Sequence, residues 1–131
     1  MIKGPIQSLD HLVLTVADIG QTVAFYRDHL GMREVVFGEG RHALAYGTQK
    51  INLHQAGHEF EPKATRPTPG SADLCFLVSE PVAALAARLE SAGVAVIDGP
   101  VARTGATGPL TSIYVRDPDG NLIELSNLSA P

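Results

Sequence analysis

The sequence predicts an α+β fold built from one βαβββ module used twice, and three observations point to it. Short runs rich in β-branched and apolar residues are separated by hairpin-type turn residues. Two stretches with helical spacing each stop at a glycine. The first strand and helix of the two halves also keep a constant offset, because Val16 and Val78, Gly31 and Gly93, and His11 and Asp73 each lie 62 positions apart.

"LDHLVLTV", residues 9–16, reads as the first strand. "DIGQTVAFYRDHLGM" then sets Val23, Phe25, Tyr26 and Leu30 at near-helical spacing before Gly31. "MREVVF", "HALAY" and "KINLHQ" follow as three short strands divided by the turn segments "GEGR" and "GTQ". Residues 57–70 carry Pro62, Pro67 and Pro69 without periodicity and read as a surface connection. The pattern then restarts. "ADLCFLV" is a strand, "PVAALAARLESAG" an Ala- and Leu-rich helix stopping at Gly93, and "VAVIDG" a further strand. "GPVARTGATGP" reads as a Gly- and Pro-rich loop before "LTSIYVR" and "NLIELSN", which "DPDG" joins as a hairpin. In that turn Pro118 cannot donate to the ladder and Gly120 tolerates positive φ. The modules are expected over 7–56 and 71–128, and the likeness of "INL" to "IEL" sets Asn52 opposite Glu124 at an offset of 72.

A length of 131 residues suits one compact domain or two half-domains sharing a core. Hydrophobic residues make up 44% and charged residues 18%, with no bilayer-length apolar run and no basic, apolar leader pattern, so a soluble cytoplasmic protein with no membrane partner is expected. The net charge of −4, without a Lys/Arg cluster interleaved with aromatics, argues against nucleic acid as a partner. Cys75 is the only cysteine, so no internal disulfide can form; packing is its default role and nucleophile the minor one.

Glu124 poses the sharpest question, because a carboxylate among Leu122, Ile123 and Leu125 needs water or a partner to offset its desolvation. Each half alone would form a curved sheet with a helix on one face and an unfilled concave face on the other. Two halves side by side would enclose a cleft. Period-two alternation makes His11, Asp73 and Glu124 candidates to converge there. Tyr114 and Arg116 alternate with Ser112 on one strand face, and Arg103 sits in the glycine-rich "ARTGATG"; these three are the candidate substrate-binding residues. His29, His42 and His58 read as surface residues.

On "LDHLVLTVADIGQTVAFYRDHLGM", "INLHQ" and "RDPDGNLIELSN" the chain resembles the vicinal oxygen chelate superfamily, which includes glyoxalase I, fosfomycin-resistance proteins, methylmalonyl-CoA epimerase and extradiol dioxygenases. "RTGATGPLTSIYVRDPDGNLIELSN" looks like the glyoxalase-domain-containing subgroup. The resemblance implies one glyoxalase-like domain over residues 1–131, whose βαβββ modules form paired curved mixed sheets around a metal-binding cleft. It implies one divalent ion per site, with ligand positions falling on His11 and Glu124. Asp73 stands where a histidine is usual, and the remaining position falls on Asn52, with His54 two residues later as a further candidate ligand. A histidine with two carboxylates should suit Mn, Fe(II), Ni or Mg at least as well as Zn.

The function implied is a metal-dependent lyase or isomerase of the glyoxalase type. The ion would grip two oxygens of a small substrate, and Glu124 or His54 would move a proton. A ring-cleaving Fe(II) dioxygenase, with His54 completing its ligand set, and a drug-sequestering protein of the bleomycin-resistance type are the alternatives. A homodimer is the family expectation.

Overall fold

The computed structural model describes residues 4–129 and shows the βαβββ order twice. The first run is β1 (His11–Val16), α1 (Ile19–Leu30), β2 (Arg33–Phe37), β3 (Arg41–Tyr46) and β4 (Gln49–Gln55). The second is β5 (Asp73–Leu77), α2 (Val82–Ser91), β6 (Asp98–Thr104), β7 (Pro109–Arg116) and β8 (Leu122–Leu128). Each run makes its own four-stranded mixed sheet, in the orders β1-β4-β3-β2 and β5-β8-β7-β6. The chain divides into two compact units between Thr68 and Pro69. Among the described residues no helix is long and apolar enough to cross a membrane.

In the first unit, Asp18 caps α1 by accepting the Gln21 N–H at 2.8 Å, and Gly31 ends it with φ +71°, a conformation glycine takes without a Cβ penalty. The helix buries Thr22, Val23 and Tyr26, and the sheet buries Leu14, Val16, Leu44, Ile51 and Leu53. Phe25 is only half-buried, so the inward stripe is narrower than its sequence spacing suggested. In the second unit α2 buries Val82, Leu85, Ala86 and Leu89, and the sheet buries Ile113, Val115, Ile123 and Leu125. Burying one such aliphatic side chain contributes about 1.5–3 kcal/mol, and these stripes hold each helix to its sheet.

Strand register bears out the internal repeat. Val13 pairs with Asn52 in one sheet and Cys75 with Glu124 in the other, which reproduces the offsets of 62 and 72 within a single pair of neighbours. The expected strand "VAVIDG" is displaced. After α2 the Val94 N–H still bonds the Leu89 carbonyl, so the chain is leaving the helix there, and β6 begins only at Asp98. A register irregularity between Asp98 and Val101 follows, and Arg103 lies on a strand rather than in a loop.

The "DPDG" segment forms the expected turn between β7 and β8, with the Gly120 N–H bonding the Asp117 carbonyl at 2.9 Å and Gly120 at φ +86°. A Cβ at Gly120 would meet nothing within 4 Å, so the backbone alone resists substitution. Gly120→Val should therefore cost roughly 1–2 kcal/mol or more of stability. Urea unfolding measures it, and an unchanged midpoint would mean that the turn tolerates a side chain.

Candidate functional site

Glu124 answers the question its sequence posed. Strand alternation sends Ile123 and Leu125 into the buried layer and Glu124 to the opposite face of β8, where it is half-buried beside Cys75 and Tyr114 in register. Its partners are two serines. Ser112 Oγ donates to Glu124 Oε2 at 2.7 Å, and Ser126 Oγ lies 3.3 Å from the same oxygen. A hydroxyl has one proton to give. Having given it to Glu124, Ser112 accepts in its 2.6 Å contact with Ser126, and the Cys75 thiol lies 3.4 Å from Ser126 Oγ. A single chain of hydrogen bonds thus runs Cys75, Ser126, Ser112, Glu124. Both serines are fully buried, so this chain meets the surface only through its ends, Cys75 and Glu124.

Glu124 and Cys75 line a cavity of about 390 Å³ in the second unit, with Leu77, Arg103, Leu110 and Leu128 among its walls. That size admits a small organic molecule, and an apolar wall with few polar groups is how such sites orient a ligand. Cys75 is exposed rather than packed away. Desolvation pushes its thiol above the ordinary value, which lowers the thiolate fraction and disfavours it as a nucleophile.

Arg103 and Tyr114, two of the candidate substrate-binding residues, are in contact. Arg103 Nε donates to the Tyr114 hydroxyl at 2.9 Å, its guanidinium carbon lies 5.4 Å from the ring centroid, and Asp98 Oδ2 is 3.6 Å from Nη2. Both border a second cavity of about 430 Å³ with Arg116, whose Nη1 also donates to the Gly120 carbonyl at 3.2 Å and so braces the turn.

Asp73 shares the Glu124 face of its sheet but pairs with Leu122, which makes it a diagonal neighbour of Glu124 while Cys75 stands directly across. In the first unit His11 Nδ1 lies 2.8 Å from Asp10 Oδ1. A carboxylate only accepts, so the proton in this contact sits on Nδ1. His54 stands elsewhere on that sheet. His11 pairs with Lys50 and Thr15 with His54, a separation along the strands of roughly 13 Å. The structure therefore does not bring the two histidines together. Among the described residues no group of three His, Cys, Asp or Glu gathers to hold an ion.

A model of the Glyoxalase/Bleomycin resistance protein/Dioxygenase superfamily matches residues 8–125. The chain belongs to that superfamily. It is 59% identical over 121 residues to virulence protein STM3117 of Salmonella typhimurium, covering 92% of this chain and 84% of that protein. The crystal structure of STM3117 superposes with a TM-score of 0.93 at 56% identity, over 98% of this chain and 100% of that one. Glyoxalase domain-containing protein RDO1 of Mycosarcoma maydis is 58% identical over 122 residues, 93% of this chain and 69% of RDO1. TnmS3, an antibiotic binding protein from Streptomyces sp. CB03234, shares 26% identity with a TM-score of 0.74, over 97% of this chain and 100% of that one.

Sequence reasoning passed over Ser112 and Ser126 as partners of Glu124, although their period-two spacing from Tyr114 and Glu124 was visible. It also passed over Arg41, whose Nη2 makes a long contact of 3.5 Å with His54 Nε2. Burial pushes the imidazole of His54, 3% exposed, below its ordinary value of 6.5, and the Arg41 charge pushes the same way. Above about pH 6.5 the ring is neutral folded and unfolded and adds no pH dependence. Below it the unfolded chain takes up the proton first, so folded stability falls until the folded pKa is passed. The melting temperature should thus drop as pH falls below about 7, and drop less in His54→Gln. Identical slopes for parent and variant would refute this.

Proposed function

We propose that the protein is a glyoxalase-type enzyme, of the lyase or isomerase class, that acts on a small oxygen-bearing substrate with Glu124 as its reacting carboxylate. The observation that carries the reading is the Glu124 carboxylate, which accepts the buried Ser112 hydroxyl at 2.7 Å on the wall of a mostly apolar cavity. Orienting a carboxylate this way removes the reorganisation it would otherwise undergo during reaction. Glu124 is assigned to take or return a proton at the substrate carbon, and Arg103 with the Tyr114 hydroxyl to hold a substrate oxygen.

Glu124 and Asp73 of the second unit are assigned as donors to a divalent ion of the kind common in the superfamily, and His11 of the first unit is assigned as a donor on the sequence resemblance. Such an ion, when bound, would polarise substrate oxygens and stabilise developing negative charge. His54, far along its sheet from His11, is assigned to substrate contact instead. A two-histidine iron set of the dioxygenase kind is correspondingly disfavoured, since it needs both rings at one ion.

The similarity to TnmS3, which is named as an antibiotic binding protein, supports a second reading in which the cavity sequesters a small molecule without chemistry. Elemental analysis of protein purified without chelators separates the two. Stoichiometric metal, together with a melting temperature that rises on adding divalent ions, is the expected result. Metal-free protein that is indifferent to Zn, Ni and Mn would favour sequestration.

A further inference from the structure

The first unit carries two cations, Arg41 and Lys50, to which the chemistry proposed above assigns no role. Lys50, Asn52 and His54 alternate along one face of β4, and Ala43 pairs with Asn52 on β3, so Arg41 stands two residues away on that same face. The Lys50 ammonium lies 4.0 Å from the Phe37 ring centroid, and the Arg41 guanidinium carbon 5.2 Å from the same centroid. Phe60, from the segment after β4, sits on the other partners: its centroid is 4.7 Å from the Arg41 guanidinium and 5.7 Å from that of His54. Two cations are thus drawn to one aromatic ring, and each is half-buried.

Like charges gathered in partly desolvated surroundings repel, and a cation–π contact worth about 0.5–2 kcal/mol only partly offsets this. A carboxylate neighbour is the usual remedy. Among the described residues neither Arg41 nor Lys50 has an ion pair. Glu59 and Glu61 face His54 from the segment that carries Phe60; Glu61 is engaged by Lys63, and Glu59, which accepts the Gly57 N–H at 2.8 Å, makes no ion pair with Arg41 or Lys50. A second sign lies between them on β4. The amide oxygen of Asn52, a residue 6% exposed, is buried and accepts no hydrogen bond among the described residues. Buried polar atoms are nearly always satisfied, so this acceptor, on the same strand face as Lys50, calls for a hydrogen-bond donor from outside the chain.

We propose that Arg41 and Lys50 form an oxyanion subsite that takes the carboxylate or phosphate group of a small molecule, with a donor on that molecule or a water completing Asn52. Arg41, with the Phe37 and Phe60 rings near its guanidinium, supplies a planar fork suited to two oxygens, and Lys50 supplies a point charge at the same Phe37 ring.

The test uses the full chain, without metal and without turnover, so its outcome is separate from that of the enzymatic reading. Inorganic phosphate and glycolate are titrated in turn at constant ionic strength while NMR follows the Phe37, Arg41 and His54 resonances. Saturable shifts in the roughly millimolar range are expected. Arg41→Gln and Lys50→Gln should each weaken binding by about tenfold or more, Arg41→Lys by less, and Arg66→Gln, an exposed cation elsewhere, not at all. Binding of phosphate alone identifies a phosphate-bearing ligand, binding of glycolate alone a carboxylate, and binding of both a general oxyanion site; each upholds the subsite. No saturable shift with either probe, or equal weakening in Arg66→Gln, overturns it.

Discussion

Glu124→Gln is expected to lower affinity for divalent ions by about ten- to a hundredfold and to abolish most turnover, while the melting temperature barely changes. The asymmetry follows from what the substitution keeps. Glutamine has the same shape, and its amide oxygen can still accept the Ser112 hydroxyl now 2.7 Å from Oε2, so the buried serine pair stays satisfied. What is lost is the negative charge that a hard cation or a carbon acid would use. Ser112→Ala is the complementary variant. It leaves the charge and removes the orienting hydroxyl, so the loss of affinity should be smaller and accompanied by lower stability, because Ser126 then loses a 2.6 Å partner inside the sheet. Calorimetric titration with Zn, Ni and Mn, beside thermal unfolding, reads both effects. Unchanged affinity in Glu124→Gln would withdraw Glu124 from the donor set and leave it an oriented carboxylate of the cavity wall.

The fold was legible because its signals are local. Period-two alternation, the glycine stops and the 62-position offset each survive without knowledge of any tertiary neighbour. The start of β6 was not, because "VAVIDG" has a good strand composition and only the Val94 to Leu89 bond, a helix-end contact, delays the strand to Asp98. At the site, the residue type of Glu124 betrayed it, whereas Ser112 and Ser126 did not. A serine in a strand is unremarkable until register places it across from a carboxylate. The Arg41, Lys50 and Phe60 cluster was harder still, since it needs the register of β2, β3 and β4 and the path of a proline-rich connection together. Cys75 shows the reverse case. Its type suggested a buried packing residue, yet alternation from Asp73 puts it on the open face beside Glu124.

The second large effect is expected at Asp117, in the same stretch as Glu124. Asp117→Ala should cost about 2–4 kcal/mol of folding stability, since three donors lose their acceptor at once and each buried donor left unmade costs about 1–3 kcal/mol, with less than full additivity. Asp117 Oδ1 accepts the N–H groups of Asp119 and Asn121, both at 2.9 Å, and Oδ2 accepts Asn121 Nδ2 at 2.8 Å. Asp117 is 5% exposed and Asn121 1%, so water cannot readily replace the carboxylate. The consequence travels to a second strand. Asn121 Oδ1 accepts the Ala72 N–H at 2.8 Å, and the Leu122 N–H bonds the Ala72 carbonyl at 3.1 Å, which ties the start of β5 to the start of β8. Asp73 follows Ala72 directly, and Glu124 lies two residues beyond Leu122. Asp117→Ala should therefore loosen the strands that present Asp73, Cys75 and Glu124 and weaken ligand binding along with stability. Gly120→Val, which strains the turn but keeps these bonds, should lower stability alone. Urea unfolding with parallel ligand titration distinguishes them, and Asp117→Asn, which retains one accepting oxygen, should recover part of the loss. If Asp117→Ala unfolds at the parent's urea midpoint, the buried network does not hold the two strands together, and the positioning of Glu124 rests on Ser112 and Ser126 alone.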